Sequence, residues 1–299
     1  MRFYEGDFAQ ICRELHWHLM CEGDEVDTGH WQSLKGVPHT RTRELFRVCV
    51  ETPIPNRGQG LATAAHQAAL EVEPNLPWAE DHFQERVGGV PTNPGSQYMN
   101  WPWYDPNWAA QAGEGATFSH TYQERMWPRW SCWHPFDDKS PSLTGIRYRY
   151  GDLQDVVNLL HREPTTRQAY LPIFFPEDTG AHHGERVPCS IGYWFTLRGG
   201  LLHVTYHIRS CDFLRYFRDD VYMAMRLGQW VLNYLQPKDM TTGEPLTKDQ
   251  LETVDDQFIG HGEQAWADVQ MGILQMNIGS LHVFEGDLAK MRRTAPAKP

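Results

Sequence analysis

The chain has 299 residues, 40% of them apolar, 22% charged and 12% aromatic, a balance that excludes disorder and fibrous repeats. With 27 Lys and Arg against 38 Asp and Glu the formal net charge is −11, which excludes nonspecific binding of a nucleic-acid polymer through a basic surface. No apolar run approaches the roughly 20 residues of a membrane span, and the start MRFYEGDFAQ lacks a secretory pattern, so a cytoplasmic protein with no membrane partner is expected.

Taken in chain order, the Pro-, Gly- and Trp-rich stretch from Pro91 to Pro135 has no regular period and reads as long loops folded over a core. Asp152 to His161 is a helix candidate, and Tyr170 to Phe175 a strand candidate. Ile191 to Ile208 holds two β-rich runs around Gly199-Gly200, a hairpin signal, with Leu202, Val204, Tyr206 and Ile208 on the more apolar face. After Asp219 the period changes: Val221, Ala224, Met225, Leu227, Trp230, Val231, Tyr234 and Leu235 recur at three and four, as one buried helix face requires. Gln275 to Phe284 is a further strand candidate. The expected class is α+β, a central mixed sheet packed on one long buried helix, as a single domain over 1–299 with insertions at about 91–135 and 236–270.

Cys12, Cys21, Cys49, Cys132, Cys189 and Cys211 form no CxxC pair or compact framework and read as reduced thiols. His16 and His18, or His182 and His183, have no carboxylate or Cys at a metal-ligand spacing beside them, so no metal is expected. Cys189 stands apart. It follows Pro188 at the entry to a strand, and Arg209 lies at the end of the next strand, where the hairpin would return it to the thiol. A guanidinium there favours the thiolate, the nucleophilic form.

The Pro188-Cys189 pair, followed by Arg209-Ser210-Cys211-Asp212 and by Asp219-Asp220, resembles the thymidylate synthase superfamily. The resemblance implies Cys189 as nucleophile, Arg209 and Ser210 on the nucleotide phosphate, and the Asp212 backbone near the pyrimidine. It runs from about Arg41 to Phe284 and is strongest between Pro188 and Asp220. Ala79-Glu80 looks like the family's Ala-Glu segment, making Glu80 the carboxylate that moves protons through ordered water. Tyr122 to Arg125 looks like its Tyr-Gly-x-Arg turn, with Gln123 in place of glycine. Arg167 matches an arginine that reaches across a homodimer, with the two sheets back to back, to the neighbour's phosphate; Gln168 departs. Thr42-Arg43-Glu44 resembles a shortened first phosphate loop, leaving Arg41 and Arg43 both as candidates. His282 matches the histidine that holds the sugar hydroxyl, while Phe284 lacks the expected phenol, so CMP stays open beside dCMP. Trp101 and Trp103, with Trp127, Trp130 and Trp133, are candidates to stack on a pterin.

Methylating synthases of the family read the uracil edge with asparagine; here that place holds Asp220. Cytosine offers an N4 donor and an N3 acceptor, which a carboxyl that accepts from N4 and shares a proton with N3 fits. Asp at this place also resembles the family's deoxycytidylate hydroxymethylase branch. The expected activity is transfer of a hydroxymethyl group to C5 of dCMP or CMP, using 5,10-methylenetetrahydrofolate and water through a Cys189–C6 adduct. The tail MRRTAPAKP, which lacks the apolar ending that closes over the folate in methylating synthases, favours water over hydride. The alternatives are a methylating synthase acting on dUMP or dCMP and a noncatalytic nucleotide-binding or RNA-binding relative. A Cys hydrolase is a poorer choice, since no His or Asn partner stands in recognisable context.

Overall fold

The computed structural model describes residues 1–28, 41–55, 61–104, 120–128, 151–180, 187–238, 246–251 and 265–293. Among these, seven strands form one mixed sheet. They are β1 (Arg2–Glu5), β2 (Asp24–Asp27), β3 (Arg41–Pro53), β4 (Tyr170–Pro172), β5 (Ser190–Arg198), β6 (Leu201–Asp212) and β7 (Gln270–Phe284). The order is β1-β3-β7-β6-β5-β4, with β2 on β3 beside β1. Strands β1 and β3 run parallel, as do β6 and β7, and the other pairs are antiparallel. The helices are α1 (Phe8–Glu22), α2 (Leu61–Val72), α3 (Trp78–Val87), α4 (Tyr122–Met126), α5 (Leu153–Arg162), α6 (Glu177–Gly180), α7 (Phe217–Leu235), α8 (Lys248–Leu251) and α9 (Leu288–Arg293). None is long and apolar enough to cross a membrane.

The hairpin forms as its turn residues dictate. Arg198 pairs with Leu201, so the loop is two residues long. Gly199 and Gly200 both have positive φ, +58° and +76°, as the hairpin turn that matches strand twist requires. The period-2 pattern then sets the register of the whole sheet. Leu171, Tyr193, Tyr206, Met276, Val50 and Tyr4 form one row across six strands, all buried. The next row, Tyr170, Trp194, Thr205, Gln275, Glu51 and Glu5, is exposed or half-buried. One face therefore carries the core and the other lies open.

Helix α7 crosses the buried face. Gly228 permits the approach, since a Cβ there would meet Val204 Cγ2 at 2.7 Å and Met271 Cε at 2.8 Å. The 3.6-residue period marks one apolar face, yet Val221 to Leu232 is buried on every side. Helices α2 and α3 cover the polar side and satisfy it: Gln229 donates to the carbonyls of Pro55 (2.7 Å) and Ala64 (3.1 Å), and Arg226 meets Glu80. Helix α5 starts where its N-cap predicts, with Asp152 accepting from the Asp155 N–H at 3.0 Å. Strand β4 is shorter than Tyr170–Phe175, because Ile173 and Phe174 both donate to the Ile191 carbonyl and turn the chain away. Thr42 to Glu44, read as part of a loop, lies on β3, paired with both β2 and β7.

The described parts of the 91–135 stretch are organised by two carboxylates. Glu85 accepts from Ser96 Oγ at 3.0 Å and from Gln123 Nε2, so Gln123 has a tertiary partner. Asp178 takes both Nη of Arg125, at 2.7 and 3.1 Å, with each side chain 1% exposed, and accepts the Phe175 N–H at 2.7 Å. Asp178→Ala is expected to cost about 3–5 kcal/mol in a urea denaturation series, since it strands a buried guanidinium. Arg125→Met combined with Asp178→Leu is expected to cost less than the sum of the single changes.

Candidate active site

Cys189 precedes the first residue of β5, on the strand whose partner β6 ends in Arg209-Ser210-Cys211-Asp212. The Arg209 N–H donates to the Cys189 carbonyl at 2.9 Å, continuing the ladder. The Arg209 guanidinium then folds back, with Nε on the Pro188 carbonyl (2.9 Å), Nη2 on that of Val187 (3.1 Å) and Nη2 3.9 Å from the Cys189 Sγ. Two backbone carbonyls fix the cation beside a partly exposed sulfur, the arrangement an anionic nucleophile needs. Because β6 and β7 are parallel, their C-terminal ends share one edge of the sheet, where Asp212 pairs with His282 and Ser210 with Ser280. The start of β5 and the N-terminus of α7 complete that edge.

Asp219 and Asp220 open α7 side by side, and their surroundings separate their roles. Both oxygens of Asp219 are filled by Asn75, whose backbone N–H and Nδ2 each donate at 2.8 Å. Asp219 is 0% exposed and ties the segment before α3 to α7. Among the described residues the Asp220 carboxyl accepts one weak contact, from the Cys211 thiol to Oδ2 at 3.6 Å, which leaves lone pairs for a ligand. Burial pushes the Asp220 carboxyl up to about 7; Arg86 opposes that rise and Asp219 adds to it. At neutral pH it can give or accept a proton.

Asp212 is architectural. Its Oδ1 accepts the N–H groups of Leu214 (2.9 Å) and Arg215 (3.0 Å), shaping the turn into α7, and burial raises it to about 6. His282 is 9% exposed and lowered to about 4, first by burial and also by Arg215 and Arg209, so it is neutral at pH 7.

A hydroxyl network that the sequence does not announce lies beneath Cys189. Ser190 Oγ donates to Tyr122 Oη at 3.2 Å and shares a short hydrogen bond with Tyr206 Oη. Tyr206 stacks on Tyr193, with centroids 4.4 Å apart. Tyr122 is placed by a capping box at the start of α4, in which Thr121 and Glu124 satisfy each other's N–H groups. Its phenol is raised, mainly by burial and then by the nearby Cys189 and Asp220. The local signal is Ser190, adjacent to Cys189.

Other predicted residues have different company. Glu80 is held by Arg226 through Nε and Nη2 (both 3.0 Å), by Tyr222 Oη (2.7 Å) and by Gln84 (2.7 Å). Burial acts to raise its carboxyl, but the Arg226 and Tyr222 hydrogen bonds win and hold it below the usual range. Arg43 donates to the Met20 carbonyl (2.6 Å) and Glu25 (2.8 Å), so its guanidinium is engaged between α1 and β2. Arg41 and Arg167 are exposed, Arg167 in the turn after α5. Trp101 stacks on Tyr216 at 4.7 Å, and Trp103 carries Lys290 at 4.1 Å and Arg215 at 5.2 Å. Trp127 donates from Nε1 to the Arg86 carbonyl, while Trp130, Trp133, His182 and His183 lie outside the described residues. Among the described residues no group of three or more His, Cys, Asp or Glu could hold a metal ion.

A thiol beside a fixed cation, a carboxyl that titrates near neutrality and a neutral imidazole at one sheet edge suit nucleophilic addition to a polar ring. No protein-family model matches this chain, and no curated protein matches it significantly.

Proposed function

We propose that the protein is a cytidylate 5-hydroxymethyltransferase of thymidylate synthase type, acting on dCMP or CMP. The observation that carries this reading is the Cys189–Arg209 pair, 3.9 Å apart, at the same sheet edge as a carboxyl raised to about 7. Pyrimidine C5 is a poor nucleophile while the ring stays conjugated. Addition of the Cys189 thiolate to C6 forms the Sγ–C6 bond and moves the C5–C6 π pair onto C5. Asp220, protonated, donates to N3 and accepts from the N4 amino group, offsetting the charge that develops there.

The cosubstrate, 5,10-methylenetetrahydrofolate, would supply a one-carbon unit at the oxidation level of formaldehyde. Trp101 suits its ring system, having an indole N–H without a partner among the described residues and a flat stack on Tyr216. Trp103 suits it less, since two cations already sit over its ring. Glu80, ionised and with 29% of its side chain exposed, orders water. Once C5 has bonded to the methylene carbon and lost its proton, tetrahydrofolate leaves with the C–N bonding pair, its nitrogen taking up a proton, and an exocyclic methylene remains on C5. Water adds to that carbon and gives up a proton, the displaced π pair re-forms the C5–C6 double bond, the Sγ–C6 bond breaks and the thiolate returns. Arg209, with Nη1 free of partners among the described residues, takes the phosphate, and His282 holds a sugar hydroxyl.

The open sheet face supports a back-to-back homodimer. It exposes Phe3 (54%), Tyr170 (38%), Leu201 (37%) and Ile273 (37%) between polar rows. Arg167 then serves the partner's phosphate. Mixing Arg167→Ala with Cys189→Ala subunits is expected to restore about a quarter of wild-type activity, from the one intact site of each mixed dimer. No recovery would count against a shared site.

The deciding experiment supplies C5-tritiated CMP, dCMP, UMP and dUMP with methylenetetrahydrofolate and records tritium release and product mass. A hydroxymethylated cytosine nucleotide is expected. A methyl product would make the protein a methylating synthase, and binding without release a noncatalytic relative.

A further inference from the structure

Arg86, on the last turn of α3, is 5% exposed, and among the described residues its guanidinium forms no ion pair. A buried guanidinium without a carboxylate is costly unless other groups receive it. Two do. The Arg86 guanidinium lies over the Tyr122 ring with Cζ 4.0 Å from the centroid, a cation–π contact. Its Nη2 is 3.0 Å from His82 Nε2. Arginine can only donate, so that nitrogen accepts and the His82 proton sits on Nδ1, 3.3 Å from Glu85. His82 stacks on Trp78 at 5.0 Å, and burial, then Arg86, lowers it to about 4, so the acceptor stays neutral across the physiological range. Among the described residues the buried Nε of Arg86 has no hydrogen-bond partner.

We propose that Arg86 is a positioning residue of the pyrimidine site: its guanidinium pins the Tyr122 hydroxyl at Ser190 from behind and supplies the positive charge that the Asp220 carboxyl faces. The proposal rests on the reading above only in that Asp220 contacts the base. Charge from Arg86 on α3 favours ionised Asp220, while Asp219 on its own helix and Asp212 on β6 oppose it. Cys211 on β6 donates to it, and the phenols of Tyr122, Tyr193 and Tyr206 face it from α4, β5 and β6. Arg86 is the one cation among these named groups. Its loss leaves Asp220 protonated to higher pH.

The test is substrate-free. Protein carrying carboxyl-labelled aspartate is titrated by carbon NMR, the Asp220 signal being the one lost in Asp220→Asn. In Arg86→Met the Asp220 midpoint is expected to rise by about one pH unit or more, and Arg86→Lys, which keeps the charge, to rise less. Arg86→Gln, which keeps a donor to His82, carries the same comparison should the Met variant fail to fold. A midpoint unchanged in a folded neutral variant overturns the proposal. If wild type releases tritium from no nucleotide, the proposed function fails while this titration still decides the role of Arg86.

Discussion

Cys189→Ser is expected to lower tritium release from C5 of the cytosine nucleotide by about 10⁴-fold or more, with nucleotide affinity kept within about threefold. The change replaces one atom by a smaller one at a partly exposed position, so it leaves the β5–β6 ladder and the Arg209 clamp on Pro188 and Val187 untouched. What disappears is the sulfur that the proposed mechanism uses as a thiolate. A hydroxyl beside the same guanidinium stays protonated at neutral pH and cannot break the conjugation of the ring. Arg209 and Asp220 remain to bind the nucleotide, which is why kcat and KM should separate. Calorimetric binding of dCMP and CMP to the variant, beside the release assay, checks both halves. Retained release would remove the covalent step.

How far the sequence led depended on whether the deciding interactions were local. Gly199-Gly200 announces a two-residue turn, and once the turn is placed the pairing of Gly192 with His207 follows; a register shift between Ser190 and Gly192 then sets Ser190 opposite Ile208, and Arg209 comes back to Cys189. The Asp152 cap and the apolar period of α7 are local in the same sense. Helix α1 was equally legible: Asp7 caps it, and Phe8, Ile11, Cys12, Leu15 and Leu19 recur as a buried face. Strand β3 was not. Its charged residues and the positive φ of Arg47 (57°) interrupt the alternation, and its pairing with β7 joins segments more than 200 residues apart. The network of Arg86, Tyr122 and Ser190 was hidden for a related reason. Those residues sit on α3, on α4 and on β5, and nothing in their local sequences shows that a cation will lie over a phenol. Glu80 shows the converse: its position in a motif was visible, whereas its capture by Arg226 from α7 was not.

Asp220→Asn is expected to reverse base preference. An asparagine amide turned to donate to uracil O4 and accept from N3–H places a donor against the cytosine N4 amino group and an acceptor against its N3 lone pair. Each buried mismatch costs about 1–3 kcal/mol, so two shift the ratio of kcat/KM for cytosine against uracil nucleotides by about 30-fold to about 10⁴-fold. Paired release assays on dCMP and dUMP check it, and an unchanged ratio would remove Asp220 from the base. The same variant has a signature in stability. An aspartate in the unfolded chain titrates near about 3.9, while burial raises Asp220 to about 7 in the fold. Between those values the native state holds a proton the unfolded chain has released, so wild-type stability falls as pH rises from about 4 to about 7, by on the order of 4 kcal/mol. Asparagine has no such proton. Urea midpoints should therefore favour Asp220→Asn at pH 8 more than at pH 4, and turnover of the cytosine nucleotide by wild type should decline as pH passes about 7 and the N3 donor is lost.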